Sequence, residues 1–191
     1  MDVDDPHLSH EEIAQIARRI DRPVVLVGMM GVGKSSVGKR LAAVLHCPFI
    51  DADDEIEKSA QMSIPEIFEK HGEDYFRDGE RRVIARLVEE NGGKVVIATG
   101  GGAFCNPQTR ELILDKAVAV WLDSDVDTLV ERTARKNNRP LLQGGDPRAI
   151  LTRLREERRP AYSQAPVHVV SGNGPHGRTV ARVLKGISEW L

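Results

Sequence analysis

Aromatic residues are scarce in this chain, which has two Trp, two Tyr and four Phe among 191 residues. Proteins that hold single-stranded nucleic acid stack its bases on aromatic side chains, so this composition disfavours such a platform. An excess of charge of one sign is also lacking, because 27 basic residues stand against 29 acidic ones. So small a net charge creates no broad field that would attract a nucleic acid or an anionic membrane surface. We therefore expect neither kind of partner.

The chain has only two cysteines, Cys47 and Cys105. Two thiols alone cannot build a disulfide framework or a zinc site, so we expect both to be small core residues of a reduced, cytoplasmic protein. No apolar run is long enough to form a transmembrane helix. Residues 1–6 are acidic and no apolar segment follows them, so a signal peptide is not expected.

The sequence does contain a glycine-rich segment, Gly-x4-Gly-Lys-Ser, at residues 28–35. It follows a β-branched run at residues 24–27 and precedes a helical pattern, which is the context of a phosphate-binding loop. Backbone N–H groups of such a loop and the start of its helix surround a phosphate group. Lys34 can reach the β- and γ-phosphates, and the Ser35 hydroxyl can bind a bridging Mg²⁺. The segment predicts a nucleoside triphosphate site; the alternative is a glycine-rich turn that binds nothing.

Short apolar runs alternate with longer helical patterns, which predicts one α/β domain with a parallel sheet and helices on both faces. The predicted strands cover residues 24–28, 48–51, 94–98, 118–122 and 166–170. The predicted helices cover residues 34–46, 53–60, 64–71, 77–91, 106–115, 125–136, 146–158 and 176–190. A further amphipathic helix is predicted at residues 9–20, where Ser9 and Glu12 form a capping box. It would form an N-terminal extension, residues 1–22, in front of a core domain of residues 23–191.

Polar residues and glycines follow two predicted strands, where ligands gather in open parallel sheets. Asp51 and Asp53 would point to the same side if the chain remained extended. One could hold Mg²⁺ through water and the other accept a hydrogen bond from a substrate hydroxyl, or one of them could cap the next helix. The three glycines at residues 100–102 would let the backbone approach a ligand closely, or could mark only a tight turn.

A charged segment with little apolar surface, residues 132–147, predicts a mobile lid. Arginines are frequent in the chain, and for any one of them a solvated helix face is the usual location. Arg77, Arg139 and Arg158 differ because each lies within a recognisable motif.

The ordered set of motifs closely resembles that of the shikimate kinase family, over nearly everything from residue 24 to residue 191. The motifs are GMMGVGKSSVG at 28–38, FIDAD at 49–53, IPEIF at 64–68, GEDYFR at 72–77, ATGGGA at 98–103, NRPLL at 138–142 and RRPAY at 158–162. One departure is Ser36, where threonine is common in the family. The resemblance implies a three-layer P-loop fold of the nucleoside-monophosphate-kinase type, with five parallel strands. It also implies a substrate-binding segment at about residues 52–82 and a lid at about residues 132–147.

This resemblance implies transfer of the γ-phosphoryl group of ATP to the 3-hydroxyl of shikimate, with Mg²⁺, in chorismate and aromatic amino-acid biosynthesis. The protein would be a cytoplasmic monomer. ATP would be bound by Gly31, Val32, Gly33, Lys34, Ser35, Ser36, Arg132 and Arg139, with Arg132 flat against the adenine ring. Shikimate would be bound by Asp53, Arg77, Gly100, Gly101, Gly102 and Arg158, with the adjacent Arg159 as the alternative to Arg158. Mg²⁺ would be bound by Ser35 directly and by Asp51 through water. The catalytic residues would be Lys34, Asp53 and Arg139.

Two other functions are compatible with a P-loop. A gluconate-kinase-like enzyme is one, but it has no need for paired arginines around a carboxylate together with the glycine turn at residues 100–102. A nucleotide-binding module that has lost catalysis is the other, but the residues assigned to catalysis are all present.

Overall fold

The computed structural model describes residues 7–135 and 140–191. Five strands form one parallel sheet in the spatial order β2-β3-β1-β4-β5. The strands are β1 (Val24–Val27), β2 (Phe49–Asp51), β3 (Val96–Ala98), β4 (Val118–Asp123) and β5 (Val167–Val170). All four residues of β1 are buried because helices cover both faces of the sheet. The predicted five-stranded parallel α/β fold is confirmed.

Nine α-helices occur in the described ranges of the chain. They are α1 (His10–Arg19), α2 (Lys34–Val44), α3 (Ala52–Ala60), α4 (Ile64–His71), α5 (Glu73–Glu90), α6 (Pro107–Lys116), α7 (Val126–Ala134), α8 (Pro147–Tyr162) and α9 (His176–Trp190). None of those described is long and apolar enough to cross a membrane.

Two predicted helix boundaries were wrong by a full turn. Helix α5 begins at Glu73 and not at residue 77, because Gly72 ends α4 and starts α5 at once, and acidic residues occupy the first turn of α5. Helix α8 continues through Pro160 to Tyr162 and does not end at residue 158. Its last turn is held by tertiary contacts, because the Tyr162 side chain is buried in the core.

The strand order places the central strand β1 between β3 and β4. The chain leaves β1 towards β2 on one side and later reaches β4 on the other, so a crevice opens at the carboxyl end of β1. The glycine-rich loop, the end of β2 and the glycine turn after β3 all lie at this edge. Topology therefore brings together segments that are far apart in sequence.

Helix α1 packs beside α9 along its own apolar face. Ile16 and Ile20 are buried there, and the Lys94 ammonium donates to the carbonyl oxygen of Ala17 at 3.2 Å. The N-terminal helix is thus attached to the core by apolar burial.

Candidate active site

The glycine-rich loop connects β1 to α2 and ends at Gly33, the N-cap of α2. Gly33 has a φ of 98°, a backbone conformation that glycine adopts without steric cost. The first N–H groups of any helix have no partner within the helix, and they carry partial positive charge. The start of α2 is therefore built to receive a phosphate group.

Lys34 lies at the first position of α2 with its side chain buried. Its ammonium donates to the carbonyl oxygens of Gly28 at 2.7 Å and Met29 at 2.9 Å. The charge is thus already held inside the loop that would surround a phosphate. A bound phosphate would offer the ammonium a charge-assisted partner that is stronger than a neutral carbonyl.

Asp51 makes two local contacts at the end of β2. One carboxylate oxygen accepts a hydrogen bond from the Asp53 backbone N–H at 2.9 Å and so caps α3. The other accepts one from the Ser35 hydroxyl at 2.7 Å. The expected extended geometry was wrong, because the chain becomes helical at Ala52 and Asp53 lies in the first turn of α3. Both carboxylates nevertheless line the same cavity.

The Ser35 and Asp51 pair fits Mg²⁺ in donor chemistry. Mg²⁺ prefers hard oxygen ligands and usually keeps waters and substrate phosphates beside one or two protein groups. Within residues 7–135 and 140–191, no group of three or more His, Cys, Asp or Glu side chains could hold a metal. One hydroxyl and one carboxylate at the phosphate loop suit a metal that arrives with a nucleotide.

A cavity of about 360 Å³ adjoins this loop. Its charged lining comes from the end of β2 and from α3, α5 and α8. Its backbone lining comes from the glycine turn after β3, and its apolar lining includes Phe68 and Phe76. Met30 and Ser35 of the phosphate loop line the same cavity. A ligand in this cavity would therefore lie beside the phosphate site.

Arg77 points into this cavity from α5. Its guanidinium lies 2.9 Å from a Glu80 carboxylate oxygen and 3.4 Å from Glu73. A Cβ on Gly102 would lie 2.6–2.7 Å from the guanidinium atoms, so a side chain at that position would displace Arg77. The absence of a side chain at Gly102 thus lets the Arg77 guanidinium keep this position.

Arg158 enters the cavity from α8 and is 8% exposed, whereas the adjacent Arg159 is exposed. Arg158 Nη1 is buried and has no hydrogen-bond partner among the described residues. A buried guanidinium N–H without a partner is costly, so this nitrogen is placed for an anionic ligand. Of the two neighbouring arginines, the structure puts Arg158 in the cavity.

Glu80 is a cavity residue that sequence reasoning missed. Its side chain is buried, and its second carboxylate oxygen has no hydrogen-bond partner in the described ranges. Burial raises the pKa of this carboxyl, although Arg77 and Arg158 oppose the shift. A Cβ on Gly100 would lie 2.8 Å from Glu80 Oε2 and 3.1 Å from Asp53 Oδ1, so the two carboxylates converge at this glycine. The only signal in the sequence is the spacing of three residues from Arg77.

Tyr162 attaches α8 to the glycine turn. Its buried hydroxyl donates to the carbonyl oxygen of Gly101. Burial raises the pKa of the Tyr162 phenol above its ordinary value, which keeps the donor protonated. Because Tyr162 lies one turn beyond Arg158, this contact fixes the end of the helix that carries the arginine.

Arg132, in the last turn of α7, spans the phosphate loop and the segment after β5. Its guanidinium donates to the carbonyl oxygens of Val32 and Gly172, each at 3.0 Å.

His176, at the start of α9, lies close to the phosphate loop, because a Cβ built on Gly33 would be 3.8 Å from the His176 ring. Burial, with Arg40 and Arg132 nearby, lowers the pKa of His176. No motif or spacing in the sequence pointed to this histidine.

Part of the predicted lid lies outside the described residues, namely residues 136–139 with Arg139. The neighbouring Pro140 and Leu141 do line the cavity that contains Arg77 and Arg158, which is called the acceptor cavity below. The remaining predicted residues, Gly31, Ser36 and those of the glycine turn, lie in the loop, the helix start and the cavity edge described above.

The chain is similar to known proteins along most of its length. The family model for shikimate kinase matches residues 30–188. A shikimate kinase of Novosphingobium aromaticivorans is 62% identical over 193 residues and covers all of both chains. One of Caulobacter vibrioides is 56% identical over 168 residues, 88% of this chain and 83% of that protein.

Among solved structures, the shikimate kinase of Acinetobacter baumannii in complex with shikimate is similar in fold. Its TM-score is 0.83 at 34% sequence identity, over 95% of this chain and 98% of that one. On the family match and on this degree of identity, the chain belongs to the shikimate kinase family.

Proposed function

We propose that the chain transfers the γ-phosphoryl group of ATP to the 3-hydroxyl of shikimate, giving shikimate 3-phosphate and ADP. As a member of its family the chain is an ATP-dependent small-molecule kinase. The single observation that carries the residue assignment is the shared cavity. Phosphate-loop residues line one side of it and two arginines line another, so donor and acceptor sites adjoin.

The acceptor carboxylate is proposed to bind between Arg77 and Arg158. A planar guanidinium matches a carboxylate through two parallel hydrogen bonds, and two of them can hold one carboxylate from different sides. The unpartnered Nη1 of Arg158, which lacks a hydrogen-bond acceptor within the described chain, supports this role. The backbone of Gly100, Gly101 and Gly102 would complete the pocket where no side chain intrudes.

Asp53 is proposed to accept hydrogen bonds from the acceptor hydroxyls and to orient the attacking one. Proton transfer to such a carboxylate is ordinary general base chemistry, but phosphoryl transfer through a loose transition state needs little of it early. Glu80 is proposed to act as a positioning residue, because it holds the Arg77 guanidinium at 2.9 Å while lying beside Asp53.

The nucleotide is proposed to bind along the start of α2. The loop backbone at residues 31–36 would surround the β-phosphate, and Lys34 and Arg139 would stabilise the charge that moves with the γ-phosphoryl group. Arg132 would lie against the adenine ring. When bound at Ser35 and, through water, at Asp51, Mg²⁺ would neutralise phosphate charge.

Three parts of the prediction rest on the sequence alone. A cytoplasmic location and a monomeric state stay predictions, and so does the absence of a nucleic acid or membrane partner. The alternative of a gluconate-kinase-like enzyme is disfavoured because relatives at 56–62% identity are shikimate kinases.

A coupled assay of ADP release with shikimate, with gluconate and without an acceptor tests the proposal. We expect ADP release to depend on both shikimate and Mg²⁺. ADP release with gluconate and not with shikimate would identify the other kinase. No ADP release with either acceptor would identify a nucleotide-binding module that has lost catalysis.

Lys34→Met is the variant for the same assay. It should abolish transfer while the fold survives, because the ammonium stabilises charge at the phosphate site and contributes little core packing. Circular dichroism provides the control for folding. A folded variant with near-normal turnover would contradict the assignment of Lys34.

A further inference from the structure

A second cavity, of about 320 Å³, lies between α3, α4 and α5. Among its lining residues on α5, the spacing of Tyr75, Gly79, Arg82 and Arg86 puts these four on the helix face opposite Arg77. Within the described ranges, Phe76 is the one residue that lines both this cavity and the acceptor cavity. The volume is at the lower end of the range that small-molecule sites occupy.

The floor of this cavity is apolar, and a glycine in α5 leaves part of the space above it unfilled. Ile56, Ile67, Phe76 and Val83 are buried there. Gly79 lies in the middle of α5, and a Cβ built on it would meet nothing within 4 Å in the described chain. Glycine in a helix interior costs about 1 kcal/mol relative to alanine, so helix formation does not account for this residue. Its effect is to keep the space above the helix open.

The rim of the cavity combines an aromatic ring with two arginines, and the described residues that line the cavity include no carboxylate. Tyr75 is 50% exposed beside the opening. Arg82 lies 3.1 Å from Asp78, which Arg81 shares at 3.0 Å, and Arg86 lies 3.4 Å from Glu55. Both rim arginines are thus in partly exposed ion pairs, which are weak, so a ligand carboxylate can compete for their guanidinium groups.

We propose that this cavity binds a small amphiphilic anion, namely an aromatic ring that carries one carboxylate. The ring would lie over Gly79 among the apolar side chains and beside the Tyr75 ring, where offset stacking is favourable. The carboxylate would accept hydrogen bonds from Arg82 and Arg86 at the rim. This site is separate from phosphoryl transfer, and only the use of shikimate to block the acceptor cavity in its test rests on the proposed function.

The test uses the full chain and 3-phenylpropionate as the probe, with binding measured by isothermal titration calorimetry. Shikimate is present at saturation, so that the probe cannot bind the arginines of the acceptor cavity. We expect the wild type to bind the probe. Gly79→Leu, which fills the space, should weaken binding at least about tenfold, which corresponds to 1.4 kcal/mol.

Gly177→Leu is the matched control for that variant, because Gly177 lies in α9 and its Cβ position is also open. This control should bind the probe like the wild type. Arg82→Gln combined with Arg86→Gln should weaken binding about three- to tenfold, and the uncharged 3-phenylpropanol should bind the wild type more weakly by a similar factor.

Three results would overturn the proposal. Binding to Gly79→Leu at wild-type affinity would show that the probe lies elsewhere. Loss of wild-type binding at saturating shikimate would place it in the acceptor cavity, and equal binding of the alcohol would remove the role of the arginines. Leucine is a better helix former than glycine, so we expect Gly79→Leu to fold. If it does not, Gly79→Ala and the double arginine variant decide the question by the same measurements.

Discussion

Glu80 is a carboxylate held away from water beside two guanidinium groups. Desolvation opposes its charge, and the nearby arginines favour it. The burial effect is the larger one, so the pKa of Glu80 is raised from its ordinary value of 4.5. A carboxyl group whose pKa is higher in the folded state than in the unfolded state stabilises the fold at pH values below the unfolded-state pKa. This stabilisation is lost as the pH rises through the folded-state pKa.

We expect this effect to appear in Glu80→Gln. Without ligands, the variant should gain stability relative to the wild type as the pH rises from about 4 to about 7, because glutamine cannot become charged. Thermal unfolding of both proteins across this range measures the difference. The pH dependence of that difference is decisive, because the ion pair with Arg77 forms only when Glu80 is charged and is already part of the net pKa shift. A difference that does not vary with pH would contradict the raised pKa.

Arg77→Ala tests acceptor binding at the same scale. The KM for shikimate should rise about ten- to a hundredfold, because charge-assisted hydrogen bonds contribute roughly 1.5–3 kcal/mol each. The KM for ATP should change much less. Arg81→Ala is the matched control, since Arg81 lies on the same helix and pairs with Asp78 instead of lining the cavity. An equal loss towards both substrates would make Arg77 a structural ion-pair residue.

At the scale of elements, the segment between α7 and α8 connects the nucleotide side to the acceptor side. Arg132 at the end of α7 contacts the phosphate loop, and Pro140 and Leu141 reach the acceptor cavity. A segment with contacts to both sites is in a position to respond to both ligands. Closure over the ligands would exclude water, which is a competing phosphoryl acceptor.

We expect residues 132–147 to gain protection from hydrogen exchange when shikimate and a non-hydrolysable ATP analogue are both bound. Peptides from α6, which lies away from the cavity, provide the internal reference. Arg139→Ala should slow phosphoryl transfer strongly and leave shikimate binding almost unchanged. Identical protection of the segment in the free and bound protein would contradict the lid prediction.

For the whole molecule, α1 contributes stability and no residue of the active site. Ile16 is buried where α1 packs against the core, while Ile13 on the same helix is only half-buried. The family match begins at residue 30, after this helix. We therefore infer that α1 is separable from the chemistry.

Ile16→Ala should lower the free energy of unfolding by about 2 kcal/mol, through lost burial and the cavity left behind. The kcat and both KM values should stay at wild-type levels below the unfolding temperature. Ile13→Ala should cost less, because less of its surface is buried. Urea unfolding and steady-state kinetics measure the two effects, and a large loss of kcat in folded Ile16→Ala would give α1 a functional role.

The order and type of the elements could be predicted from the sequence because they depend on local pattern. A β-branched run before Gly-x4-Gly-Lys-Ser predicts a strand, a loop and a helix start, and all three are present around Lys34. The ends of the helices were predicted less well than their order. Helix α8 extends to Tyr162 because the Tyr162 hydroxyl contacts the glycine turn, and local helix propensity does not include such a contact.

By itself, the sequence determined the strand and helix order, the phosphate loop and the family, because short-range spacing encodes them. Only the tertiary structure decided that Arg158 and not Arg159 enters the cavity, that Asp51 caps α3, and that Glu80 is buried beside Arg77. The physical reason is that burial and desolvation depend on which elements meet in space. Helices α3, α5 and α8 converge at the carboxyl edge of the sheet. They are far apart along the chain, so no local sequence pattern can show that they meet.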